Sequence, residues 1–186
     1  LRFLGFWGPS TLGGEAQHGI LILSPRAVER LESFTPPWPM PKLFRMTKAG
    51  KLNEGIFKGE TINTPSMLAV EDCLDALKWA ESLPESLSAR SARNLAAIAN
   101  WVDRTPWVDF LAKDPATRSN TSVCLVITAP AVASAPDAEQ AAFAKALVGL
   151  LDAEGVAFDI GAYRAAPPGL RIWAGGTVET ADIEAL

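Results

Sequence analysis

The chain has 186 residues, of which 48% are hydrophobic and 20% charged, as is typical of a globular protein with one core or two small ones. A net charge of −4 gives no support for a nucleic-acid or membrane partner, because an acidic protein repels anionic partners. One histidine (His18) and two cysteines (Cys73 and Cys124) form no metal-ligand pattern, and the cysteines are expected to be buried thiols in the cytoplasm.

The first part of the chain alternates apolar runs with glycine and proline. The run over 20–23 predicts a buried strand, and Ser24-Pro25 predicts a helix cap and first helical residue. The proline-rich stretch 35–41 must be extended, residues 43–47 predict another strand, and 48–59 predict a surface loop. The short helix places three apolar residues on one face: Ala27, Val28 and Leu31.

Residues 61–67, Thr-Ile-Asn-Thr-Pro-Ser-Met, predict the start of a longer helix. Thr64 is a suitable N-cap and Pro65 a suitable first residue, and apolar residues then recur every three or four positions. The free N–H groups of this helix start, with the Asn63 amide and the Thr64 hydroxyl, would suit a phosphate or another anion. A plain turn and cap is the more common role of such a sequence.

The second half of the chain predicts alternating helices and strands. Two helices, from Pro65 to about Leu83 and from Leu87 to Thr105, are expected to connect two domains. Strands are predicted over 122–128, 156–160 and 170–173, with a last helix from Val178. A helix over 138–154 is expected to turn four residues inward and to end at Gly155: Phe143, Leu147, Leu150 and Leu151. This order predicts an α/β fold with a small two-layer domain.

Five segments between Leu12 and the chain end resemble the C-terminal half of phosphoserine aminotransferases: LGGEAQHG, LSPRAVERLE, KGETINTPSM, RSNTSV and GLRIW. The resemblance implies the fold of fold-type I enzymes, which use pyridoxal phosphate. It also implies transfer of an amino group between glutamate and 3-phosphohydroxypyruvate in serine biosynthesis. By the same resemblance, residues 1–65 would be an incomplete large-domain remnant, 66–106 connecting helices and 107–186 the small C-terminal domain.

The resemblance also assigns substrate and cofactor residues. Arg171 would hold the substrate carboxylate, since a guanidinium forms two parallel hydrogen bonds with that group. Arg164 would bind the substrate phosphate, beside Tyr163, which stands where many family members carry histidine. Asn63 and Thr64 would reach the cofactor phosphate of a neighbouring subunit, which implies a homodimer. From spacing alone, both arginines would be solvated charges at strand ends.

The chain departs from the family pattern before Leu12. Family members carry the Schiff-base lysine a few residues earlier, but residues 7–11 are Trp-Gly-Pro-Ser-Thr and no lysine precedes Lys42. The resemblance therefore implies that this chain does not bind the cofactor covalently. Residues 1–11 are expected to be an unrelated leader. Four lysines are predicted to be surface charges: Lys42, Lys48, Lys51 and Lys58.

Two classes of function stay open at this point. The chain is either part of an aminotransferase or a free-standing truncated protein with another role, such as a binding module or a weak serine hydrolase. A hydrolase would have to use Ser10, His18 and Glu15, although the second glycine of a nucleophile elbow is missing. His18 is otherwise expected to be structural, and Arg118 is expected to tie the small domain to the connecting helix.

Overall fold

The structure, a computed structural model, describes residues 4–7 and 19–186. The chain divides into two compact units, Leu1–Trp79 and Ala80–Leu186, and each contains helices and strands. No helix in the described ranges has both the length and the apolar character needed to cross a membrane.

The first unit begins with two antiparallel strands, β1 (Leu4–Trp7) and β2 (Gly19–Ile22). The predicted strand is therefore present, but the prediction that it is buried was wrong, since the side chains of Leu21 and Ile22 are exposed. Consecutive strand residues point to opposite faces, so both faces of β2 are partly exposed, whereas the apolar run had suggested a strand covered on both faces.

Helix α1 (Pro25–Ser33) follows, as predicted from Ser24-Pro25. The Ser24 hydroxyl accepts the backbone N–H of Ala27 at 3.2 Å, which satisfies one of the donors left free at a helix start. Ala27, a residue of this helix, is buried. The Ser24-Pro25 sequence was therefore sufficient to predict where this helix begins.

A short hairpin replaces the strand and loop predicted over 43–59. Strands β3 (Thr47–Lys48) and β4 (Lys51–Leu52) pair antiparallel through a two-residue turn. Ala49 and Gly50 have positive φ angles of 52° and 75°, which suit the tight turn of a hairpin. Three-residue and five-residue 3-10 helices flank the hairpin: Lys42–Phe44 and Glu54–Lys58.

Helix α2 spans Met67–Ser82, so it begins two residues later than predicted. The Ser66 hydroxyl accepts the Ala69 N–H at 3.4 Å, and its carbonyl accepts the Val70 N–H at 3.1 Å. Thr64 as N-cap was therefore wrong, because Ser66 also has a capping hydroxyl and lies directly before the first helical residue. Of the predicted apolar stripe, three members are exposed: Met67, Leu74 and Leu77.

The second unit is built on helix α3 (Leu87–Val102) and a three-stranded antiparallel sheet. The strands are β5 (Val108–Phe110), β6 (Ser122–Ile127) and β7 (Gly169–Trp173), in the order β5-β6-β7. Alternate residues of β6 and β7 pack with α3 in one core, and the others turn to the opposite face. The sequence analysis missed β5 because only three residues alternate in it.

Three more α-helices and one 3-10 helix (Pro115–Thr117) complete this unit, and the α-helices are α4 (Pro130–Ala133), α5 (Asp137–Ala153) and α6 (Thr180–Ala185). The end of α5 is as predicted, since Gly155 has a φ of 67° and the Val156 N–H bonds to the Leu151 carbonyl at 3.0 Å. The inward positions of Phe143 and Leu150 were wrong, because both are exposed. The inward stripe of α5 is rotated, and it consists of the buried Ala144 and the partly buried Leu147, Val148 and Leu151.

The segment predicted as a strand over 156–160 is irregular. Asp159 has a φ of 52°, a left-handed conformation that cannot continue an extended strand. The segment still runs beside β7. The Ile160 carbonyl accepts the Arg171 N–H at 2.8 Å, and Gly161 forms an isolated antiparallel β-bridge with Leu170. This irregular edge brings the Asp159 carboxylate to Arg171.

Candidate functional site

Arg171 lies in the middle of β7, directly opposite Cys124 of β6. Its strand neighbours Leu170 and Ile172 are buried in the core under the helices. Since strand side chains alternate, Arg171 projects from the opposite face of the sheet, on the same side as Ser122 and Cys124. The sheet therefore presents the guanidinium on the face opposite the core side chains of β7.

The Arg171 guanidinium is held along one edge. Its Nη2 donates to the Asp159 carboxylate at 2.8 Å and to the Asp159 carbonyl at 3.1 Å, and Nε donates to the Gly161 carbonyl at 3.4 Å. The Tyr163 ring lies 4.6 Å from the guanidinium carbon. None of these three hydrogen bonds uses Nη1, which is therefore the guanidinium nitrogen that can donate to an anion.

Burial lowers the pKa of Arg171, but hydrogen bonds and charge interactions with Asp159 and Tyr163 outweigh it and raise the pKa above its usual value. The arginine is therefore cationic at neutral pH. A permanent cation with a planar fork recognises a carboxylate or a phosphate.

Tyr163 and Arg164 precede β7 in a loop. The Tyr163 hydroxyl lies 3.0 Å from the Ser122 hydroxyl. Arg164 is exposed, forms no ion pair with a described residue, and lines a groove of about 330 Å³ with Lys145 and Tyr163. Arg171 lines a different cavity of about 240 Å³, so the two arginines face separate openings.

Asn63 and Thr64 belong to the first unit, and both are exposed in a segment without helix or strand. Their amide and hydroxyl groups are therefore accessible, as an anion site requires. The structure thus brings Arg171 and Tyr163 into contact and keeps Asn63 and Thr64 in the other unit.

The sequence analysis missed three buried polar residues of α3: Arg90, Ser91 and Asn94. The Asn94 amide donates to the carbonyls of Ala174, Gly175 and Val178 at 3.2, 3.3 and 2.9 Å. Its side-chain oxygen accepts the Thr180 hydroxyl at 2.7 Å.

Arg90 completes this set of contacts. Its Nε donates to the Gly176 carbonyl at 2.7 Å, and its guanidinium pairs with Glu179. Together Arg90 and Asn94 fix the segment that directly follows β7 and Arg171. Their four-residue spacing continues the apolar stripe formed by Ile98 and Val102, and that signal could have identified them.

The structure also places the remaining charged residues. Lys51 pairs with Glu32 at 3.1 Å and Lys58 with Glu54 at 2.9 Å, and all four lysines named above are exposed as predicted. The tie predicted from Arg118 to the connecting helix was wrong. Arg118 lies 3.9 Å from the Phe110 ring and donates to the Ala112 carbonyl, because its own loop folds back onto β5.

Two predictions concern residues outside the described part of the chain. They are the missing lysine position, of which residues 8–11 are not described, and the hydrolase residues Ser10, Glu15 and His18. Among the described residues, no three histidine, cysteine, aspartate or glutamate side chains gather as a metal site.

Curated relatives match the whole chain. It is 52% identical over 188 aligned residues to phosphoserine aminotransferase of Methanosarcina mazei, covering 100% of this chain and 48% of the relative. It is 51% identical to phosphoserine aminotransferase of Methanosarcina barkeri, again over 100% of this chain and 48% of the relative. The matched part is the C-terminal 48%, so the chain spans about half the length of these relatives. The expectation that residues 1–11 are an unrelated leader was wrong, since the alignment includes them.

A solved structure of phosphoserine aminotransferase, described as showing radiation damage of its Schiff base, shares the fold. Its TM-score is 0.57 at 14% identity, over 75% of this chain and 36% of the solved chain. The predicted fold class, an α/β fold of the fold-type I kind with a small α/β domain, is confirmed. No model of a protein family matches the chain.

Proposed function

We propose that this chain, which is similar along its whole length to the C-terminal half of phosphoserine aminotransferases, supplies the substrate side of such an enzyme. The reaction is amino transfer between glutamate and 3-phosphohydroxypyruvate. The working protein acts in the cytoplasm, where its two free cysteines, Cys73 and Cys124, stay reduced.

The observation that carries the proposal is the guanidinium of Arg171. It projects from the sheet face opposite the core residues Leu170 and Ile172, its Nη2 and Nε donate to Asp159 and Gly161, and Nη1 takes part in none of these bonds. A guanidinium held in this way can form a charge-assisted hydrogen bond through Nη1 with the α-carboxylate shared by glutamate and phosphoserine. The pair would orient the Cα–H bond that amino transfer must break.

The other proposed contacts concern phosphates. Arg164, exposed and without an ion-pair partner in the described ranges, would bind the substrate phosphate. Asn63 and Thr64 would bind the cofactor phosphate of a second subunit. Residues 1–65 would then form part of the cofactor-binding large domain, with 66–106 as connecting helices and 107–186 as the small domain.

The described residues fit pyridoxal phosphate only in part. Asn63 and Thr64 offer an accessible amide and hydroxyl to its phosphate. A Schiff-base lysine needs a desolvated amine, but all seven lysines of the described residues are exposed, and Lys51 and Lys58 are also ion-paired with Glu32 and Glu54. No covalent step is therefore assigned to the described residues of this chain.

The function can be tested with a chimera. The part of the Methanosarcina mazei relative that precedes the Leu12 position, which by the resemblance brings the family lysine, is joined to residues 12–186. We expect glutamate-dependent conversion of 3-phosphohydroxypyruvate and an imine band near 410–430 nm, roughly where protonated pyridoxal phosphate imines absorb. A folded chimera that forms the imine but transfers no amino group would contradict the proposal.

The 186-residue chain is the matched control for the chimera. After incubation with pyridoxal phosphate and borohydride, peptide mapping is expected to show no unique pyridoxyl-lysine. A single stoichiometric modified lysine would instead assign the covalent role to this chain. Ester hydrolysis that disappears in Ser10→Ala would favour the hydrolase alternative.

We also expect the chain to self-associate. Helix α2 exposes an apolar surface formed by Met67, Leu68, Leu74 and Leu77, and exposed apolar patches of this kind are usually contact surfaces. Light scattering after size exclusion should give a mass above 19.8 kDa at tens of micromolar, and Leu68→Glu with Leu74→Glu should lower it. Lys78→Glu, a charge change at an exposed position of the same helix, is the control. A clean monomer would refute the expectation.

A further inference from the structure

We infer that Tyr163 is a positioning residue: it sets the orientation of the Arg171 guanidinium and is itself fixed by Ser122. The inference rests on the proposed function in one respect, that Arg171 is the group that receives the substrate carboxylate. In this role Tyr163 acts through Arg171, whereas the sequence analysis placed Tyr163 itself at the substrate.

The contacts around Arg171 fix its plane from two directions. Asp159 and Gly161 hold the Nε–Nη2 edge, with donor–acceptor distances from 2.8 to 3.4 Å. The Tyr163 ring lies 4.6 Å from the guanidinium carbon. Edge contacts alone leave a guanidinium free to rock about that edge, whereas an aromatic ring near the cation restricts the motion. The ring therefore determines where Nη1 points.

Tyr163 can hold the arginine because its own position is constrained. Its hydroxyl lies 3.0 Å from the hydroxyl of Ser122, the first residue of β6. Ser122 is paired with Trp173, the last residue of the strand that carries Arg171. Tyr163 thus contacts Ser122 of β6 through its hydroxyl and Arg171 of β7 through its ring. Both strands belong to one sheet, so the hydroxyl anchors the ring to that sheet.

A comparison within the chain shows what the hydroxyl adds. Two other arginines in the described ranges lie over aromatic rings, Arg118 at 3.9 Å from Phe110 and Arg30 at 4.0 Å from Phe34. Phenylalanine has no polar group with which to fix its ring to another element. Tyr163 is the only tyrosine of the chain, and its ring lies beside the Arg171 guanidinium.

The inference is tested by following the Arg171 Nε–H signal in NMR spectra of the 15N-labelled 186-residue chain. The signal is assigned by its loss in Arg171→Lys. Tyr163→Leu should remove the ring-current shift of this signal, and Tyr163→Phe and Ser122→Ala should keep part of the shift but speed exchange of Nε–H with water. Phe34→Leu is the matched control, since it should change the Arg30 signal and leave Arg171 unaltered.

A titration with O-phospho-L-serine separates this inference from the proposed function. The ligand should shift the Arg171 signal, with affinity about two- to fivefold lower in Tyr163→Leu, as expected for loss of a cation–π contact. An Arg171 signal that is the same in the parent chain and in all three site variants would overturn the inference. If those variants alter the signal but the ligand does not shift it in the parent chain, positioning stands and the substrate assignment fails.

Discussion

Asn94→Ala is expected to lower the free energy of unfolding by about 2–4 kcal/mol, the range expected when a buried amide is lost and its partners are left unsatisfied. Asn94 is fully buried, and its amide donates to the carbonyls of Ala174, Gly175 and Val178. Alanine leaves these carbonyls and the Thr180 hydroxyl without their partner. Urea unfolding followed by circular dichroism measures the loss as a lower midpoint.

Two further variants make this prediction specific. Asn100→Ala makes the same chemical change at an exposed position of α3, so its effect should be within about 0.5 kcal/mol. Asn94→Asp should be at least as damaging as alanine, since it places a carboxylate oxygen against three carbonyl oxygens. Equal stability of Asn94→Ala and Asn100→Ala would show that the contacts to residues 174–180 do not support the fold.

Arg171→Ala should reduce kcat/KM of the chimera about 100-fold, or about 3 kcal/mol, because a charge-assisted hydrogen bond with the substrate carboxylate is lost. Steady-state kinetics with glutamate and with phosphoserine measure the effect on both substrates. Since both carry an α-carboxylate, both should be affected. A loss confined to phosphoserine would point to the phosphate as the group that Arg171 binds.

The controls separate charge from geometry. Arg171→Lys keeps the positive charge and loses the fork, so it should recover only part of the activity. Arg26→Ala removes an exposed arginine of α1 and should leave kcat/KM within twofold, roughly the effect expected of a surface change. Unchanged rates in a folded Arg171→Ala chimera would remove the basis of the proposed function.

The sequence was most informative where structure depends on neighbouring residues. The helix start at Ser24-Pro25 and the helix end at Gly155 were predicted because a cap or a left-handed glycine acts within a few residues. The wrong N-cap of α2 arose because two candidate residues lie close together. Thr64 and Ser66 both carry a capping hydroxyl, and only the course of the chain decides which one is used.

Strand predictions failed where pairing overrides composition. Residues 156–160 are apolar enough for a strand, but the positive φ of Asp159 interrupts it. Conversely, the short β5 exists because β6 supplies its hydrogen-bond partners. Which apolar residues of α5 are buried was also not predictable to the residue, since the packing partner sets the rotation of the helix.

The sequence by itself determined the order of most helices, their local caps, the α/β class and, through its resemblance, the residues to examine around Arg171. The tertiary structure decided how that arginine is held. Asp159 meets Arg171 across 12 positions, and Asn94 meets the segment after β7 across 80 or more. Contacts over such separations form only when strands and helices pack, so their partners carry no local signal in the sequence.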